Sequence, residues 1–261
     1  MDALRSAAAR LKDCVRANQS ATVANVTPHG LHLYLTVCSP IQLGYLPIFK
    51  VGSTTISKWF SELCNYRYGP KATLTTGQGN RSTFTQYPNL RNLSFFTFLR
   101  NPLDRFPSSV FEAFRRQHVY ARAYAKRANL FKRLINFSSP DELALQVLNF
   151  CFDDVKPCDS HLLPQTTFAM QLGVQRLEYI GRLETLEHDF GAVASVFGKS
   201  ALQHFYDHVL PKRIVSRNRS EPYYRSDQLD RYRFSIGDLA EQTIMNITQA
   251  YSTDMSCIGT I

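Results

Sequence analysis

The chain has 261 residues, 44% hydrophobic and 12% aromatic, which excludes a disordered tail and fits one large α/β domain over 1–261 better than two small ones. Thirty Lys and Arg against twenty-one Asp and Glu leave a net charge of +9, which favours anionic partners without choosing among nucleic acid, acidic glycans and nucleotides. No run of about 18 apolar residues is present to span a membrane.

Residues 1–25 read as a peripheral N-terminal segment with an amphipathic helix over Ala3–Arg16. Asp2 and Asp13 argue against a transit peptide, and the Met1–Arg5 start has no signal-peptide apolar region. Either the chain is soluble or an anchor lies outside it. Leu31, Leu33, Leu35 and Val37 alternate with His32, Tyr34 and Thr36, the period of a half-buried strand. Leu46-Pro47-Ile48-Phe49 then reads as a buried strand, and Ile56, Trp59, Phe60 and Leu63 recur at helical spacing. Between them lies Lys50-Val51-Gly52-Ser53-Thr54-Thr55. This places a glycine, three hydroxyls and a lysine at a helix N-terminus, where unpaired N–H groups and the helix dipole favour an anion. The spacing is not that of a Walker A loop, and an ordinary capped turn has the same composition.

Gly69–Ser82 is polar and glycine-rich and reads as a surface loop, either a substrate cover or a plain connector. Leu93–Leu99 is a second buried strand, and it delivers Arg100. Pro107, Ser108 and Ser109 read as the start of the next helix, which carries Val110, Phe111 and Phe114 on one face. A second strand-end cation thus points at a second helix N-terminus, an arrangement suited to a ligand with two separate phosphates; the alternative is a local Arg100–Asp104 pair. Ser139-Pro140-Asp141 opens a helix burying Leu143, Val147 and Phe150. Tyr179–Glu184 is a strand leading into a helix with Leu186, Phe190, Val193 and Phe197 inward. Lys212–Ser220 is a basic loop, and Asp238 caps a last helix reaching about Tyr251.

Six cysteines (14, 38, 64, 151, 158 and 257) lack CxxC spacing, so no metal site is expected. Cys151–Cys158 is the easiest local disulfide, and buried free thiols are the alternative. Seven Asn-x-Ser/Thr sites, at Asn18, Asn25, Asn80, Asn92, Asn136, Asn218 and Asn246, are compatible with a secretory lumen.

Four segments, in order, resemble the Golgi-type carbohydrate sulfotransferases that use 3′-phosphoadenosine-5′-phosphosulfate (PAPS), over roughly 45–255. Phe49–Thr55 is similar to their 5′-phosphosulfate loop. Phe98–Ser109 is similar to their 3′-phosphate motif, with Arg100 and Ser108 eight positions apart. His161-Leu162-Leu163-Pro164-Gln165 is similar to their His-x-x-Pro-Gln element, and Gly181-Arg182-Leu183-Glu184 to the strand that follows. Phe49, Ser53, Asn101 and Leu162 depart from the residues usual there, namely proline, cysteine, aspartate and an aromatic.

The resemblance implies a three-layer α/β sandwich with a central parallel sheet and a P-loop-like nucleotide site at the strands' carboxyl ends. It implies direct transfer of the sulfuryl group from PAPS to a hydroxyl of a glycan, expected to be anionic, leaving 3′,5′-ADP and needing no metal and no nucleic acid. Lys50 would stabilise the bridging oxygen, and Val51, Gly52, Ser53, Thr54 and Thr55 would hold the 5′-phosphate. Arg100 and Ser108 would hold the 3′-phosphate, with Arg217 closing over the nucleotide. His161 is the expected base; His118 and a carboxylate are its rivals. Localisation by resemblance is the Golgi lumen, with a soluble cytoplasmic protein as the alternative. Outside this class stand a kinase-like P-loop protein, for which no Walker spacing or acidic magnesium ligands are found, and a non-catalytic basic module that binds polyanions.

Overall fold

The computed structural model describes residues 1–22, 33–79, 92–119, 136–153, 159–211 and 231–259. In chain order these form α1 (Asp2–Thr22), β1 (Leu33–Cys38), β2 (Leu43–Tyr45), α2 (Ser53–Tyr68), β3 (Thr73–Gly79) and β4 (Ser94–Leu99). There follow α3 (Pro102–Val119), α4 (Pro140–Leu148), α5 (Gln165–Leu172), β5 (Leu177–Arg182), α6 (Leu186–Ser195), α7 (Lys199–His204), α8 (Glu241–Ala250) and α9 (Ser252–Ile258). None of the described helices is long and apolar enough to cross a membrane.

The five strands lie in the order β3-β1-β2-β4-β5, and the sheet is mixed rather than parallel throughout. β2, β4 and β5 run parallel, and β1 is antiparallel to both β2 and β3. The reason is the link between β1 and β2, a single 3₁₀ turn over Ser39–Ile41 closed by Gln42 in the left-handed region. So short a link cannot make the crossover that parallel neighbours require. β3 occupies the stretch expected to be a loop: its threonines pair with β1 from Thr73↔Cys38 to Thr76↔Leu35. β1 is also more enclosed than its alternation implies, with Leu35, Thr36, Val37 and Cys38 all buried.

Phe95 to Leu99 of β4 are all buried, as a strand covered on both faces must be. Rings fill the space: Trp59 of α2 meets Phe190 of α6 edge-on at 5.1 Å, and Phe60 meets Phe96 at 4.9 Å. A second apolar cluster joins Phe106, Val110 and Phe114 of α3 to Leu143 and Val147 of α4 and Ile247 of α8.

The N-terminal helix, expected at the periphery, is a core element. It lays Leu4, Ala7, Ala8, Leu11 and Val15 into the main core against β5 and α9. Its small residues, Ala7 and Ala8, allow close approach to the sheet. Disulfides join Cys14 of α1 to Cys257 of α9 and Cys38 of β1 to Cys64 of α2. Cys151 is disulfide-bonded too, while Cys158 lies outside the described residues. Asp238 caps a 3₁₀ turn with Ser235, and the last helices begin after it.

The Cys14–Cys257 bond closes a span of 243 residues. Replacing both cysteines with serine should cost about 2–5 kcal/mol of stability, read as a lower guanidinium midpoint under oxidising conditions. An unchanged midpoint would show that α1 is held by packing alone.

Candidate active site

The site is built where the three parallel strands end. After β2 the chain runs on beside β4, with Leu46 N–H donating to the carbonyl of Phe96, and then turns at Lys50. Lys50 has φ +65°, a left-handed conformation that costs a non-glycine residue of order 1 kcal/mol. Gly52 follows at φ +74°, and a Cβ there would stand 3.1 Å from Leu183 Cδ1, so glycine suits it on both counts. Gly52 is also the N-cap of α2 and supplies no capping side chain. The first-turn N–H groups of α2, beside Ser53, Thr54 and Thr55, therefore have no side-chain cap, which is the condition for an anion seat. Val51 is fully buried and anchors the turn.

The Lys50 ammonium donates to Glu112 Oε2 at 2.9 Å. Glu112, on α3, also accepts from Arg115 Nε at 3.0 Å and from Arg115 Nη2 at 2.6 Å. Burial pushes the Glu112 carboxyl up, but the Arg115 hydrogen bonds and the Lys50 charge together outweigh it and hold the group at about 2. Glu112 is thus ionised at any working pH.

The second seat lies at the end of β4. Arg100 Nη1 donates to Ser108 Oγ at 3.2 Å, bringing together the two residues paired on sequence grounds, and no ion pair joins Arg100 to Asp104 among the described residues. Ser108 is not at a helix N-terminus, however. α3 begins at Pro102, capped by Asn101, whose Oδ1 accepts from Leu103 N–H, and Pro107 sits inside the helix. Proline at the first helical position after an Asn cap is a stronger start than the Pro107-Ser108-Ser109 run. Ser108 therefore meets Arg100 from the side of a helix.

The remaining motif residues are its scaffold. Gln165 grips the backbone of Arg100 twice, accepting from its N–H at 3.0 Å and donating to its carbonyl at 2.8 Å. Glu184 accepts from Asn101 N–H at 2.9 Å, tying the end of β5 to that of β4. A Cβ on Gly181 would fall 2.4 Å from Phe98 Cε1, so the neighbouring strand fills that space with a ring. His161 is 2% exposed; its Nδ1 lies 2.6 Å from Asp159 Oδ1, and its ring packs on Phe49 at 4.3 Å. His161 is thus packed against the residue that precedes Lys50.

Two residues that contact the site escaped the sequence reading, Glu112 and Arg105. Arg105 is buried and donates to three carbonyls: Phe49 at 2.9 Å, Leu163 at 2.9 Å and His161 at 2.8 Å. Its pKa is depressed by burial and supported by Tyr251 and Asp254. The signal available was spacing: Arg105, Ser108, Glu112 and Arg115 follow at three, four and three residues, one face of a helix. Arg217 and the side chain of His118 lie outside the described residues.

Compared with known families, residues 34–257 match the sulfotransferase family. No curated protein and no solved structure matches the chain. The matched span takes in the whole sheet except its first residue, together with Lys50, Arg100, Ser108, Gln165 and Glu184. With that coverage, this chain belongs to the sulfotransferases, enzymes that move a sulfuryl group onto an acceptor.

Proposed function

We propose that the chain transfers the sulfuryl group of PAPS to a hydroxyl of a carbohydrate, releasing 3′,5′-ADP. The observation that carries this reading is the pair of cationic seats at the ends of the adjacent parallel strands β2 and β4: Lys50 with the uncapped start of α2, and Arg100 with Ser108. A nucleotide bearing a 5′-phosphosulfate and a 3′-phosphate offers one anion to each. The fit is chemical: a guanidinium fork and a hydroxyl for a terminal phosphate, and N–H groups with an ammonium for a bridging one.

On this reading the seat at Lys50 is P-loop-like in use though not in sequence. N–H groups of Val51 to Thr55, with the Ser53, Thr54 and Thr55 hydroxyls, hold the 5′-phosphate. Lys50 stabilises the charge that grows on the bridging oxygen as the sulfur–oxygen bond breaks, electrostatic catalysis parallel to phosphoryl transfer. Arg217 would close over the nucleotide. His161, whose Nδ1 lies 2.6 Å from Asp159 Oδ1, is the base this reading assigns to the acceptor proton, and the acceptor has to reach a ring that is 2% exposed. The net charge of +9 favours an anionic glycan acceptor. Disulfides at Cys14–Cys257 and Cys38–Cys64 belong to oxidising compartments, and the glycosylation sites Asn92 and Asn136 are exposed. Both support a secretory location, with the Golgi lumen the natural one for glycan sulfation.

Three outcomes test this reading. In thermal melts 3′,5′-ADP should raise the midpoint and ATP should raise it far less, because only the former brings a 3′-phosphate to Arg100 and Ser108; equal shifts, or none, would remove the donor assignment. Lys50→Ala should stay folded and lose transfer of labelled sulfate from PAPS to a panel of desulfated glycans, and near-normal transfer would show that another group carries the charge. His161→Ala should lower kcat by about 10²–10⁴ with 3′,5′-ADP affinity little changed. If that variant instead melts early and regains full rate on cooling, His161 is a packing residue and the base lies elsewhere.

A further inference from the structure

The helix that carries Ser108 also carries the counter-ion of Lys50. Ser108, Glu112 and Arg115 fall at i, i+4 and i+7 along α3, so one face presents a hydroxyl, a carboxylate and a guanidinium in succession. Glu112 is a fixed point: its side chain is 6% exposed, and Arg115 binds both of its oxygens. Lys50 is the movable partner, 27% exposed on a flexible four-carbon stem. Its backbone is held, because Arg105 donates to the carbonyl of the preceding residue, Phe49. The backbone is thus fixed, and the partly exposed side chain is the part that can turn.

A lysine that serves the bridging oxygen of a donor cannot stay 2.9 Å from a glutamate at the same time with full effect. The two anions compete for one cation. Removing the partner of a buried carboxylate is ordinarily a severe loss. Here Arg115 stays on Glu112 when the ammonium leaves, so departure of Lys50 does not strand a buried charge.

We propose that Glu112 is a positioning residue: it holds the Lys50 ammonium against α3 until a 3′-phosphoadenosine nucleotide draws it to the 5′-phosphate. The inference rests on the donor reading above. Donor binding then includes the exchange of one ion pair for another, and Glu112 sets the affinity of that seat through Lys50. Because Ser108 lies one turn before Glu112 on the same helix, occupation of the 3′-phosphate seat and release of the lysine act on one rigid element.

Calorimetric titration of 3′,5′-ADP into the wild type, Glu112→Gln, Lys50→Ala and the double variant tests this. Glu112→Gln should tighten binding about three- to fivefold, the upper part of the range expected when a competing ion pair is removed. In the Lys50→Ala background the same change should alter Kd by less than about twofold, since the carboxylate acts through the lysine. Equal tightening in both backgrounds would mean a general charge effect and overturn the inference, as would unchanged or weaker binding in Glu112→Gln alone. If Glu112→Gln does not fold, Glu112→Asp keeps the charge and its Arg115 partner but draws the carboxylate back by one methylene. It should bind with intermediate affinity, and a wild-type Kd there overturns the inference. A folded wild type that binds no 3′,5′-ADP overturns the donor reading and this inference together, whereas normal wild-type binding without the coupling overturns this inference alone.

Discussion

The guanidinium of Arg105 holds the site together. Buried in α3, it reaches out of its helix to the carbonyls of Phe49, His161 and Leu163, which belong to two loops far apart in sequence. A loop carbonyl turned inward has no water to satisfy it and must find a donor. Arg105 supplies three, and an arginine keeps its charge even with a depressed pKa. The left-handed turn at Lys50 and the 161–165 segment are therefore positioned by the same side chain. Tyr251 adds to the clamp by donating to the carbonyl of Leu162, and Asp254 caps α5 through the N–H groups of Gln165 and Thr166.

α3 thereby does several jobs along one face. Arg105 fixes loops, Ser108 meets Arg100, and Glu112 with Arg115 engages Lys50. Any rotation of this helix would misplace all of these contacts at once. Its opposite side is locked into the second apolar cluster by Phe106, Val110 and Phe114. Packing on one side sets the electrostatics on the other.

Much of this was legible in the sequence. The helix after Lys50 and the strand ending at Arg100 have strong apolar patterning beside glycine and hydroxyl residues, and local signals of that kind survive folding; the strand before Lys50 is instead Leu43–Tyr45, and the Leu46–Phe49 run read as a strand is the irregular segment that follows it. The scaffolding roles of Gln165 and Glu184 were visible only as motif letters, because each holds a backbone group of Arg100 or Asn101 more than sixty residues away. Pro107 misled the helix start, since a proline inside a helix is written like one at its beginning. Glu112 has no local signal, because its partner Lys50 lies 62 residues away and only the fold brings the two together. The strand at Thr73–Gly79 was hidden by its glycines, and its pairing depends on β1 rather than on local preference.

The bond between Cys14 and Cys257 joins the first helix to the last and turns nearly the whole chain into a covalent ring. A protease making one cut anywhere within that ring opens it without producing two molecules. The pieces stay attached and stay close, and the cleaved ends have little volume to explore. Loops that protrude from the ring can therefore vary in length or be nicked while the sheet and its bound helices keep one connected body. That topology separates survival of the fold from integrity of the backbone.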